Sequence, residues 1–166
     1  MTGFTYPIYI QASPEQVWQG LTEPVLMRRY WRHQKAGEKT FISDWKQGST
    51  YDMVHEEVGL VVSDPEQVIL ESEPYRRLSY TWHTMTPEWA VEVGMDAETA
   101  EVWRAEPRST VAFDIEDVGH GTTKLTVVHD GFEPGSAVLG GISEGWPAVL
   151  SSLKTLLESD ATLRTS

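Results

Sequence analysis

The sequence predicts an α+β fold in which one long C-terminal helix covers an antiparallel sheet, and three observations lead there. From Gly141 to Glu158 the residues Trp146, Val149, Leu150, Leu153, Leu156 and Leu157 recur at three- and four-residue steps, so they form one apolar helical stripe. Most of the chain upstream reads as period-two strands joined by local turn signals, which implies hairpins and hence antiparallel pairing. Two helix starts, at Ser13 and Thr22, lie close behind the first strand.

Taken in order, Phe4, Tyr6, Ile8 and Ile10 alternate with polar or edge-type neighbours and predict the first strand, with Pro7 marking an edge or irregularity. Ser13-Pro14-Glu15-Gln16 supplies an N-cap, a first-turn proline and a capping-box glutamine, and Val17, Trp18 and Leu21 give that short helix its buried face. Thr22-Glu23-Pro24 restarts a second short helix to about Tyr30-Trp31, making a bent pair. Strands are then expected from Phe41 to Trp45 and from Ser49 to His55 around the turn Lys46-Gln47-Gly48. Val68 to Glu73 and Leu78 to His83 follow, around Pro74-Tyr75-Arg76-Arg77; Val61-Val62 belongs either to a strand or to its loop.

The clearest hairpin carries Val111, Phe113 and Ile115 on one arm and Leu125, Val127 and His129 on the other, with Gly119-His120-Gly121 at the turn. Ahead of it, residues 84–107 form an acidic excursion with interspersed apolar residues, among them Met85, Trp89 and Trp103. It is expected to be a lid, a contact surface or a solvated loop, with a helical turn or two within Ala97 to Glu106. Ser143 and Pro147 predict the cap and first turn of the final helix, and the tail from Thr162 to Ser166 is expected to fray.

Composition bounds the function. A chain of 166 residues fits one domain over 1–166 and can bury roughly 70% of its unfolded surface. The absence of cysteine excludes disulfides, thiolate catalysis and Cys-ligated metals, and with no secretory n-region the expected location is cytoplasmic. No run is long and apolar enough for a membrane span. A net charge of -12 makes nucleic acid and anionic lipid poor partners. Seven tryptophans point either to a Trp-rich core or to a partly aromatic-lined pocket.

Individual motifs carry less. Gly141-Ile142-Ser143-Glu144-Gly145 matches the G-x-S-x-G of a hydrolase elbow, but no convincing strand precedes it and no histidine follows it. His33, His55, His83, His120 and His129 show no metal-ligand spacing, so neither metal nor other cofactor is expected. His129 shares the inward phase of Leu125 and Val127, either as a hydrogen-bonded core residue or as an acid or base facing a ligand.

The chain resembles the START-like (SRPBCC, Bet v 1-like) superfamily and, within it, the activator of heat-shock protein 90 ATPase homologue family. The residues that carry the resemblance are Ser13 to Trp18, Leu21 to Pro24, Tyr30-Trp31, Ser43 to Gly48, Arg76 to Trp82, Leu125 to Phe132, Gly145-Trp146-Pro147 and Ser151 to Lys154. It implies the helix-grip fold, a curved seven-stranded antiparallel sheet gripping the long helix, with a cavity between them that in related proteins holds apolar molecules. Residues 84–107 are longer than the usual connection there, and the additional N-terminal domain of the eukaryotic co-chaperones has no counterpart in this sequence, which weighs against chaperone activation.

The expected function is non-enzymatic binding of a small apolar or aromatic ligand. Trp31, Trp45, Trp82 and Trp146 would form its walls, and Tyr30, Tyr80 and His129 would orient it. The alternatives are a cyclase- or dehydratase-type enzyme using His129 or a pocket carboxylate, and a protein-interaction module or homodimer that makes contact through 84–107.

Overall fold

A computed structural model describes residues 2–159. The elements are β1 (Thr2–Ile10), α1 (Pro14–Thr22), α2 (Pro24–Tyr30), β2 (Arg32–His33), β3 (Gly37–Glu38), β4 (Thr40–Ile42), β5 (Asp52–His55), β6 (Leu60–Val62), β7 (Ile69–Glu73), β8 (Arg77–Thr81), α3 (Pro87–Glu92), α4 (Ala97–Ala105), β9 (Thr110–Gly119), β10 (Thr122–Phe132) and α5 (Ala137–Ser159). The expected fraying of Thr162 to Ser166 lies outside the described residues.

The main sheet has the order β1-β10-β9-β8-β7, antiparallel throughout, and a smaller sheet has the order β4-β5-β6. The two are joined where Thr50 bridges Val68, with Tyr51 N–H donating to the Gln67 carbonyl and Ile69 N–H to the Ser49 carbonyl. The expected single seven-stranded sheet is therefore divided into five strands and three, with β6 as the additional strand and β2-β3 as a separate short pair. The Val61-Val62 segment is strand β6, paired with Met53 and Val54, and Asp64-Pro65 turns the chain before β7. At this break the side chain of Gln67, fully buried, donates to the carbonyls of Tyr51 and Val62, supplying partners where the ladder stops. With α5 laid against the sheet, this is the helix-grip arrangement.

The capping box of α1 is formed as its sequence predicts: Ser13 Oγ accepts from Gln16 N–H and the Gln16 carboxamide accepts from Ser13 N–H. The helix seats tightly on α5, because a Cβ at Gly20 would lie 2.8 Å from Leu153 Cδ1. The core face of β9 and β10 is Val111, Phe113, Ile115, Leu125, Val127 and His129, and α5 meets it with Trp146, Leu150, Leu153 and Leu157.

The start of α5 corrects the expectation. The helix begins at Ala137, capped by Ser136, whose Oγ accepts from Leu139 N–H. Glu106, arriving from the end of α4, accepts from Ala137 and Val138 N–H and from the Ser136 hydroxyl. A carboxylate placed there also complements the positive end of the helix dipole. Ser143 is no cap but donates to the Leu139 carbonyl within the helix, and Pro147 stands in the interior, where it withholds the N–H that would bond Ser143. Burial of Trp146, Leu150 and Leu153 on both sides of the proline holds the helix through it.

Trp45 also departs from its expected strand. It follows β4 in a loop with φ 60°, and its indole N–H donates to the Thr22 carbonyl at the end of α1.

Candidate functional site

Residues 82–109 leave the sheet at the end of β8 and return at the start of β9, clasped where they part. Trp82 N–H donates to the Ser109 carbonyl, and Arg108 donates to the Trp82 carbonyl at 2.7 Å and to Thr84 Oγ1 at 3.0 Å. Between these points lie two helices, not one. Thr86 caps α3 and Asp96 caps α4, each accepting from the N–H three residues on. Trp89, Ala90 and Ala100 turn inward and are buried, whereas Val91 and Val102 stand exposed beside Glu88, Glu98 and Glu101 on the outer faces of α3 and α4. The close seating of α4 on α5 depends on Gly141, where a Cβ would lie 2.6 Å from the Trp103 ring.

The excursion thereby roofs a cavity of about 450 Å³ at the end of the sheet, walled by α5, by Trp31, His33 and Lys39 ahead of β4, and by Trp82, His83 and Met85 after β8. That volume lies within the range of about 300–1,000 Å³ usual for small-molecule sites. Five tryptophans line it, Trp31, Trp82, Trp89, Trp103 and Trp146, together with Met85, Val93, Met95, Ile142 and Val149. Trp146 lies 5.5 Å from Trp31 and 5.8 Å from Trp82, ring centre to ring centre.

Of the residues predicted to meet a ligand, the structure brings Trp31, Trp82 and Trp146 to the cavity wall and sets the other four behind it. Tyr30 donates its hydroxyl to the Gly20 carbonyl and so ties α2 to α1. Tyr80 packs among Phe41, Tyr51 and Phe113 in the core, and Trp45 is held by Thr22. His129 is wholly buried: its Nδ1 accepts from the Trp146 indole at 3.1 Å, which leaves the proton on Nε2 to donate to Ser109 Oγ at 2.8 Å. Burial, and next the charge of Lys39, push its pKa down to about 3. With both nitrogens engaged, the geometry favours the hydrogen-bonded core histidine over an acid or base facing a ligand.

Lys39 belongs to no motif of the sequence, yet it is part of the site. This side chain reaches the cavity wall, where its Nζ lies 4.9 Å from the Trp82 ring centre, 5.6 Å from Phe41 and 5.9 Å from Trp31. It donates to His83 Nε2 at 3.2 Å, because His83 Nδ1 gives its own proton to the Thr84 carbonyl at 2.9 Å. Among the described residues no carboxylate pairs with Lys39. Loss of hydration therefore lowers its pKa to about 7 without an ion pair to restore it. The signal available in the sequence was its position two residues before Phe41, which places both on one face of the approaching strand.

Among the described residues no group of three or more His, Asp or Glu side chains is placed to hold a metal ion, and no helix is long and apolar enough to cross a membrane.

Comparison with known proteins accords with this architecture. Similar folds include protein MLL2253 of Mesorhizobium loti, with a TM-score of 0.68 and 24% identity over 96% of this chain and 98% of that one. The Aha1 dimer of Colwellia psychrerythraea, solved in solution, gives 0.64 and 19% over 97% and 99%. CalU16 of Micromonospora echinospora gives 0.59 and 20% over 98% and 79%. A sequence comparison with curated proteins gives no match. The family model described as Activator of Hsp90 ATPase homolog 1-like protein matches residues 11–158, and the chain belongs to that family.

Proposed function

We propose that this protein binds a small apolar or aromatic molecule in the cavity between α5, the end of the sheet and the α3–α4 roof. The observation that supports it is the wall itself: five indole rings surround about 450 Å³ that the chain's own side chains leave unfilled. The hollow opens to solvent, so an apolar occupant would displace water from its indole faces. Removal of ligand surface from water supplies roughly 25 cal/mol per Å² toward affinity. The roof is part of the reading, because Trp89 and Trp103 belong to α3 and α4 and both line the cavity.

The expected result of titrating the protein with fatty acids, flavonoids and aromatic polyketides is saturable quenching of tryptophan emission together with a raised melting temperature. A ligand at a hundred times its Kd adds about 2.7 kcal/mol to the native state. Absence of both responses across the panel would overturn the proposal.

A further inference from the structure

The cavity wall has a chemical bias that bears on which apolar molecules it takes. Although the chain holds 25 Asp and Glu residues, none of the side chains lining this cavity carries an oxygen atom. The nitrogen groups on the wall are donors. Lys39 has N–H bonds beyond the one given to His83, and the acceptor nitrogen of His83 is already taken by Lys39. His33 Nδ1 accepts from the backbone N–H groups of Lys35 and Ala36, so the ring proton sits on Nε2. The buried indole N–H of Trp89, a residue only 8% exposed, has no hydrogen-bond partner among the described residues. Lys39 and Trp89 flank the same His83 ring, the amine at 3.2 Å from its Nε2 and the indole at 5.4 Å between ring centres.

A wall of donors without a side-chain oxygen acceptor complements a ligand group that only accepts. We propose that the ligand of this cavity is an apolar or aromatic carboxylate, its carboxylate seated on Lys39 and its apolar body held between the tryptophans. This rests on the cavity reading above and deepens it. A hydroxyl or amide would bring donors that meet no side-chain oxygen here, whereas a carboxylate accepts from each partner and gains the strength of charge-assisted bonds.

The electrostatics agree. The charged and titratable groups acting on Lys39 or its histidine neighbours are His33, His55, His83 and His129, with Lys35 and Arg108 beyond, and none is an anion. Above pH 7 the free amine is therefore largely neutral, and arrival of a carboxylate is coupled to uptake of a proton.

The test uses two matched pairs, 2-naphthoate with 2-naphthamide and decanoate with decanamide, titrated at pH 7 into the protein and into Lys39→Met. The expected result is at least tenfold tighter binding of the acid in each pair that binds, lost in Lys39→Met while the amide still binds. Calorimetry at pH 8 in buffers of differing ionisation enthalpy should show uptake approaching one proton per carboxylate and none per amide. Equal affinities, a preference for the amide, or an acid preference that survives in Lys39→Met overturns the carboxylate assignment but leaves the cavity reading standing. Failure of all four probes and of the wider panel overturns both. The comparison within the unaltered protein, with its proton count, decides the matter even if Lys39→Met does not fold.

Discussion

Trp146→Ala is expected to destabilise the protein by about 3–5 kcal/mol, the range for removing a large buried aromatic from a core. At 3% exposure its ring packs against Trp31, Trp82 and Phe113, and its N–H is the partner of His129 Nδ1. Alanine would leave a cavity continuous with the existing one and a buried imidazole nitrogen without its donor, and both effects act in the same direction. For a chain of this length the melting temperature should fall by on the order of 10 °C. Trp146→Phe retains an aromatic ring but loses the hydrogen bond and part of the indole volume, so it should cost less than Trp146→Ala, about 1–3 kcal/mol. Urea unfolding of the three proteins measures both; a loss under 1 kcal/mol in Trp146→Ala would show that this residue does not join α5 to the sheet as described.

The second large effect is acid sensitivity centred on histidine rather than on carboxylates. Burial lowers the pKa of His129 to about 3 and of His55 to about 4, and holds His83 well below its ordinary value. In the unfolded chain each returns to about 6.5, so between that value and the folded one the unfolded state binds more protons. The histidine contribution is therefore complete above about pH 6.5 and is lost as pH decreases, each ring costing up to about 1.4 kcal/mol per pH unit until its folded pKa is reached. Denaturant midpoints at pH 7.5, 6.0 and 5.0 should decline steadily. A profile flat from pH 7.5 to 5.0 would mean that these rings are hydrated in the folded protein.

Much of the fold was legible because its signals are local. The Ser13 to Gln16 capping box, the alternation of Val111 to Ile115 and the stripe from Trp146 to Leu157 each reflect a period that survives folding. The start of α5 was not legible for the opposite reason. Pro147 and Ser143 mimic a first turn, and the true cap at Ser136 is completed by Glu106, thirty residues away in sequence. Trp45 illustrates the same limit, since its indole is held by the carbonyl of Thr22, distant in sequence, while its backbone N–H donates to the Ser43 hydroxyl at a left-handed position.

At the site, three of the four wall tryptophans read from the sequence reach the cavity: Trp31 directly follows α2, Trp82 directly follows β8, and Trp146 lies on the inward stripe of α5. Trp89 and Trp103 were hidden by the acids around them, whose outward faces dominate the composition of residues 84–107. Lys39 was hidden by its type, since a lysine is assumed to be solvated until a structure shows aromatic rings around its amine.

The central claim is that a ligand lies between α5, the end of the sheet and the α3–α4 roof, and the tryptophans themselves can report it. Of the seven, Trp31, Trp82, Trp89, Trp103 and Trp146 line the cavity, while Trp18 and Trp45 lie outside it. In a ¹H–¹⁵N spectrum each indole N–H gives its own signal, and titration with 2-naphthoate should shift the signals of the cavity group saturably with one shared Kd. The unpartnered N–H of Trp89 should move furthest, and Trp18 and Trp45 should stay in place. Saturable shifts confined to Trp18 or Trp45, or no shift with 2-naphthoate or any other member of the panel, would contradict the account.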